Sequence, residues 1–192
     1  MTIMTRYVTG LILMILMIIS DVTYSYQRSN AFRSLSMKWY STTCELSIPA
    51  SKQKAYDLYS QLDQHHTWSP WLDSVQYLDK TRTLWTLKSL GLTFRWQANN
   101  TIEESPNLIQ WQSLDGLSNK GRVEFIELKP ETTKMILSIS YDLPDVAVNI
   151  IEGLGDNFKN VVENTLLNDI KRFRSRLLKE IREERAGKSI RR

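Results

Sequence analysis

The amino-acid sequence predicts an α+β domain in which a curved antiparallel sheet is closed by a long C-terminal helix over a hydrophobic cavity. Three observations predict it. Between about residues 74 and 141 six short runs suited to strands follow one another with connections of only a few residues, which joins them as antiparallel hairpins. After Pro144 apolar residues recur at three and four from Val146 to Ile181, the period of an amphipathic helix with one buried face. Four of the six tryptophans, Trp71, Trp85, Trp96 and Trp111, sit in or beside the strands and are too large and too many to be strand filler.

Each element has its own local reason. Thr42 to Ile48 alternates weakly and reads as a strand that Pro49 ends. Ser51 then caps a helix carrying Ala55, Leu58, Tyr59 and Leu62 on one face. The turn-rich stretch His65-His66-Thr67-Trp68-Ser69-Pro70-Trp71 leads into strands at about 74–78, 83–90, 92–103, 107–113, 122–128 and 133–141. In Leu92-Thr93-Phe94-Arg95-Trp96-Gln97-Ala98 the even positions are apolar and the odd ones polar, and Val123, Phe125, Met135, Leu137, Ile139 and Tyr141 keep the same period. Gly116, Asn119 and Gly121 are expected to supply left-handed turn positions. Gly153 and Gly155 lower helix stability near the start of the closing helix and suggest a kink or the close approach of a ligand there.

Composition narrows the function classes. With 192 residues, 42% hydrophobic and 24% charged, the chain fits one globular domain. Its single cysteine, Cys44, excludes an internal disulfide and a multi-cysteine zinc site. The net charge of +4 divides into +3 over residues 1–41, −6 over 42–170 and +7 over 171–192. An acidic body does not attract phosphate backbones, so nucleic acid is not an expected partner. The basic end, with ten Lys and Arg against three Glu from Lys171 to Arg192, has two readings. It opposes the negative end of the helix dipole, or it docks the protein on an anionic membrane.

The amino end looks like an address. Arg6 precedes an apolar run from Tyr7 to Ile19 that is shorter than the roughly 20 residues of a membrane span, and small residues follow it. Residues 1–25 therefore read as a signal peptide, with cleavage after Ser25 or Ala31. Residues 26–41, basic, serine-rich and without an acidic residue, read as a transit peptide or linker. Together they form a bipartite plastid address; a secretory signal or uncleaved anchor is the alternative. The folded domain is expected over 42–185 and a basic tail over 186–192.

Three stretches carry a family resemblance: Trp68-Ser69-Pro70-Trp71, Phe94-Arg95-Trp96-Gln97-Ala98, and Ile109 to Phe125 with its Trp-x-Ser-x-x-Gly-x-x-Asn-x-Gly pattern. Over about residues 42–180 the chain resembles the polyketide cyclase/dehydrase and lipid-transport superfamily, in the branch with coenzyme-Q-binding START-like domains that includes plastid and cyanobacterial members. The resemblance implies a helix-grip (START-like) fold with a hydrophobic cavity under the C-terminal helix. It also implies lipid carriers, quinone-binding proteins or cyclases as functional relatives.

The expected cavity residues are Trp71, Trp85, Phe94, Trp96, Trp111, Val123, Phe125, Leu137 and Tyr141, with Ile150, Leu154 and Phe158 from the closing helix. Any one of these aromatics is ordinary core when taken alone; as a set they favour a cavity. No catalytic residue, metal site or cofactor is expected. His65 and His66 are adjacent, so their side chains diverge, and no third ligand stands at metal spacing; a structural or helix-end role is the reading. The expected function is binding, with transport, of a hydrophobic small molecule such as a lipid, isoprenoid quinone or pigment precursor. A cyclase using the same cavity, or an organelle assembly factor or chaperone, is the alternative.

Overall fold

The structure, a computed structural model, describes residues 36–190 apart from 90, 91, 117, 154 and 155. The signal and transit readings fall almost wholly on 1–35, outside the described residues.

Seven strands make one open antiparallel sheet in the order β1-β7-β6-β5-β4-β3-β2. They are β1 (Met37–Ile48), β2 (Leu72–Tyr77), β3 (Arg82–Ser89), β4 (Leu92–Glu104), β5 (Leu108–Ser113), β6 (Asn119–Lys129) and β7 (Thr132–Pro144). The six meander strands fall where their alternation predicts them, and β1 closes back on the last of them. β1 starts earlier than expected. Met37 to Ser41 pair with Pro144 to Ser140 as part of a continuous ladder, so part of the segment read as linker belongs to the sheet. Weak alternation hid it, because the outer face of this strand is exposed and needs no apolar residue.

Register shifts at Leu72/Ser74, Asn100/Ile102 and Glu127/Lys129 interrupt the ladders, and such bulges bend strands and increase their twist. The longest strands, β4 and β7, run 13 residues each and can follow that curvature.

Helix α1 (Lys52–Tyr59) begins at Ser51, whose Oγ accepts from the Lys54 N–H at 3.4 Å, and a 3-10 helix (Leu62–Thr67) follows it. The described residues of the closing segment form α2 (Asp145–Gly153) and α3 (Asp156–Ile190). At 35 residues α3 is about 50 Å long, enough to cross the sheet. It buries Val162, Leu166, Ile170, Phe173, Leu177 and Ile181. No helix among the described residues is long and apolar enough to cross a membrane.

Two apolar clusters lie between the helix layer and the sheet. One joins α1 and the later turns of α3 to β1, β6 and β7 through Ile48, Ala55, Leu58, Val123, Phe125, Met135, Phe173 and Leu177. The other gathers Leu72, Val75, Leu87, Trp96, Tyr141, Leu143, Val148 and Val162.

Candidate functional site

A cavity of about 110 Å³ lies where these clusters meet, between the inner face of the sheet, α3 and residues 68–72. Trp71, Trp85, Trp96, Trp111, Leu137 and Tyr141, all expected there, border it. Three expected residues do not. Val123 and Phe125 are 0% and 2% exposed in the packed cluster, and Phe94 packs against the second cluster without reaching the space. The period of two places a residue on the inner face but not along it, so strand alternation cannot separate wall from filler. Ile150, Leu154 and Phe158 lie outside the described side chains. The described helix contribution comes instead from Leu166, Asp169, Ile170 and Phe173.

The wall is a chain of aromatic contacts. Trp85 and Trp96 face each other across β3 and β4 and stack with centroids 6.0 Å apart. Trp85 meets the His65 ring edge-on at 5.5 Å, and His65 lies 4.7 Å from Trp68 and 4.6 Å from Tyr59. Phe173 closes the run at 5.2 Å from Trp68 and 5.3 Å from Tyr59. On the sheet floor Trp111 lies over its cross-strand partner Gly121. A Cβ on Gly121 would come within 2.0 Å of the indole. Gly121 is thus a strand residue chosen for the absence of a side chain, not a turn residue, and Asn119 is likewise in β6. Gly116 is the left-handed position, at φ +64°.

Two polar groups in this wall were not expected to border a cavity. Asp169 is 7% exposed, yet both carboxylate oxygens are engaged. Ser69 Oγ donates to Oδ2 at 2.9 Å, Trp71 Nε1 donates to the same oxygen, and Arg172 Nη1 donates to Oδ1 at 2.7 Å. Burial pushes this carboxyl up to about 6, against the three donors, which favour its charged form. These bonds tie the 68–72 segment to α3 over the cavity. The sequence signal was an acid three residues after Leu166 and four before Phe173, at the margin of the apolar stripe of the helix.

His65 is the second. Its Nε2–H donates to the Tyr59 carbonyl at 2.7 Å, and a carbonyl can only accept, so the proton sits on Nε2. Burial pushes the imidazole down to about 4 and keeps it neutral. The structural role expected of it is real, but it also borders the cavity. The phenols of Tyr59 and Tyr141 are raised by burial and stay protonated. Cys44, buried and pushed up to about 12, is unreactive as a thiolate source. Among the described residues no cluster of His, Cys, Asp and Glu could hold a metal ion.

The sequence profile of the family described as polyketide cyclase / dehydrase and lipid transport matches residues 48–171. No curated protein sequence matches the chain. Among solved structures, the ZhuI aromatase/cyclase from Streptomyces sp. R1128 superposes with a TM-score of 0.60 at 12% identity, covering 76% of this chain and 96% of that one. A START superfamily protein from Mycobacterium smegmatis gives 0.58 at 14% identity, covering 72% and 97%. Norcoclaurine synthase from Thalictrum flavum, in complex with dopamine and hydroxybenzaldehyde, gives 0.58 at 14% identity, covering 75% and 89%. These likenesses establish a START-like helix-grip fold, in agreement with the element order.

Proposed function

This chain belongs to the polyketide cyclase/dehydrase and lipid transport family, and from that premise we propose that it binds a hydrophobic small molecule in the cavity beneath α3. The observation that carries the reading is the aromatic wall around a real space, with a few polar atoms among indole and phenyl faces. Removing apolar ligand area from water contributes roughly 25 cal/mol per Å², and the polar atoms orient what is buried. Lipids, isoprenoid quinones and pigment precursors share the required chemistry. The cavity sets a limit on them: an apolar cavity of about 150 Å³ holds benzene, so 110 Å³ accepts at most about one ring. A chain attached to that ring must leave through the mouth or displace the 68–72 segment.

Transfer to and from a bilayer uses the outer side of the same segment. His66, Thr67 and Pro70 border an open groove with Lys171, Arg172, Arg176 and Lys179 of α3, and Trp68 separates this groove from the cavity. Basic residues at that place meet an anionic lipid surface beside the ligand's exit.

The cyclase-type alternative rests on Asp169, because a carboxyl near 6 suits acid–base work at neutral pH. Its two oxygens are already engaged by Ser69, Trp71 and Arg172, which favours a structural duty over catalysis. The deciding experiment is gentle purification followed by organic extraction and mass spectrometry. A stoichiometric hydrophobic molecule is expected. A protein that carries none and takes up no aromatic probe would overturn the reading.

A further inference from the structure

The recognising atom within this cavity is identifiable. His65 is 6% exposed, neutral, and has its proton on Nε2, which leaves Nδ1 with a lone pair. No described residue donates to Nδ1. Among the described residues the side-chain polar atoms that are both unpartnered and sealed from free space are Thr42 Oγ1 and Arg122 Nε. His65 Nδ1 is not among them, so it is unpartnered but open, and the free space its ring borders is the cavity.

A buried acceptor that has given up water without gaining a donor is unfavourable, so a ligand hydrogen that reaches Nδ1 gains the whole of that bond. The carboxylate cannot help, because Asp169 accepts three bonds and donates none while ionised. Around the imidazole ring stand the rings of Tyr59, Trp68 and Trp85, which favour a flat apolar partner over a hydrated ion.

We propose that the cavity selects a single-ring ligand head bearing a hydroxyl or N–H, which donates its hydrogen to Nδ1 of His65 while the ring lies against the Trp68 and Trp85 indoles. A phenol, a hydroquinone head or an aromatic N–H heterocycle has this chemistry; a quinone, which only accepts, does not. The proposal rests on the cavity being a ligand site, and it narrows that site from hydrophobic molecules in general to ring donors.

Phenol and its near-isostere toluene are suitable probes, titrated calorimetrically into the full chain and into His65→Phe. Phenol is expected to bind wild type at least as tightly as toluene, although water solvates phenol better. His65→Phe should weaken phenol by about five- to tenfold, the size of one neutral hydrogen bond, and leave toluene unchanged. Because His65→Phe also loses the bond to Tyr59, a second readout uses wild type alone: the ¹⁵N resonance of Nδ1 should move upfield when phenol binds and stay put with toluene. Equal loss of both probes, or an unmoved Nδ1 resonance with phenol bound, would overturn the proposal while toluene binding kept the cavity reading intact. Binding of neither probe to wild type would overturn both.

Discussion

The same sheet and the same helix α3 enclose two interiors of opposite kind. Under α1 and the later turns of α3 the space is filled: Ile48, Ala55, Val123 and Met135 are all 0% exposed, and Phe125 is 2% exposed. Beneath the 68–72 segment the space is left open, although the side chains there are larger. The contrast follows from shape. Branched aliphatic chains and single phenyl rings interdigitate to crystal-like density, whereas indoles tied by their own hydrogen bonds cannot rotate to fill a gap. Trp71 is tied to Asp169, and Trp85 Nε1 donates to Thr83 Oγ1 at 2.8 Å. Anchored aromatics therefore make walls, and free aliphatics make filling.

The sharpest way to break this comparison is to cut a large side chain from each interior. Phe125→Ala leaves a hole among fixed neighbours, with Tyr56 and Tyr59 edge-on to the lost ring, and should cost about 3–5 kcal/mol in urea unfolding. Trp96→Ala enlarges a space that already exists and forfeits contacts on one side only, so its cost should be smaller, about 2 kcal/mol. Probe affinity reverses the order: losing about 50 Å² of indole contact weakens an aromatic probe about tenfold, and Phe125→Ala leaves it nearly unchanged. Equal stability losses would mean that Trp96 is ordinary core.

Titration separates the interiors a second way, because Asp169 and His65, both buried and ionisable, border the open one. The Asp169 carboxyl is raised from 3.8 to about 6 by burial, so its contribution to stability is present below 3.8 and lost as pH rises through 6. The His65 imidazole is lowered from 6.5 to about 4 by burial. Its contribution is present above 6.5 and lost as pH falls through 4. Each is worth about 3 kcal/mol, and they oppose each other between about 4 and 6. Arg172 on Asp169 and Asp63 near His65 each offset part of the burial cost. Relative to wild type, Asp169→Asn should therefore gain stability steadily as pH is raised from 4 to 6, and His65→Phe should lose it over the same interval. Parallel profiles for all three proteins would remove both shifts.

A subtler probe acts on one wall of the open interior without touching its chemistry. The Cβ of Gly121→Ala would overlap the Trp111 indole, which borders the cavity and should be displaced into it. The variant should stay folded, with a loss of about 1 kcal/mol, and bind ring probes several-fold less tightly. A variant that binds as wild type would show that the indole is free to move elsewhere.

What the sequence made legible follows from this contrast. Alternation and short connections gave all six meander strands, and the three-four period gave α3, because both depend on which face is buried. Trp71, Trp85, Trp96, Trp111 and Tyr141 were legible from aromatic identity, and Leu137 from its place in the alternation. Val123 and Phe125 were misplaced because burial on the inner face reads the same whether the neighbour is protein or empty space. Met37 to Ser41 hid because one side of an edge strand is free to be polar. Asp169 was not singled out and His65 was read only for a structural or helix-end role, since what each does depends on its partners in the fold: Ser69 for Asp169 and the Tyr59 carbonyl for His65.

The smallest effect concerns the outside of the open interior, where the groove beside Trp68 is lined by basic side chains. Lys171, Arg172, Arg176 and Lys179 border the groove beside Trp68. Three of them have acidic neighbours on α3: Arg172 with Asp169 at 2.7 Å, Arg176 with Glu180 at 3.0 Å, and Lys179 with Glu183 at 3.8 Å. Such partners subtract from the roughly 1 kcal/mol that each basic residue contributes near an anionic bilayer, so docking should be weak and reversible. Co-sedimentation with phosphatidylserine vesicles at low salt is the measurement. Binding should fall as ionic strength rises and be absent with neutral vesicles. Lys171→Glu/Lys179→Glu should abolish it, whereas truncation after Arg185 should only reduce it, because the groove and not the tail lies beside the cavity. If truncation removes all binding and the double variant removes none, the helix end is the membrane contact, and ligand exchange has no reason to occur at Trp68.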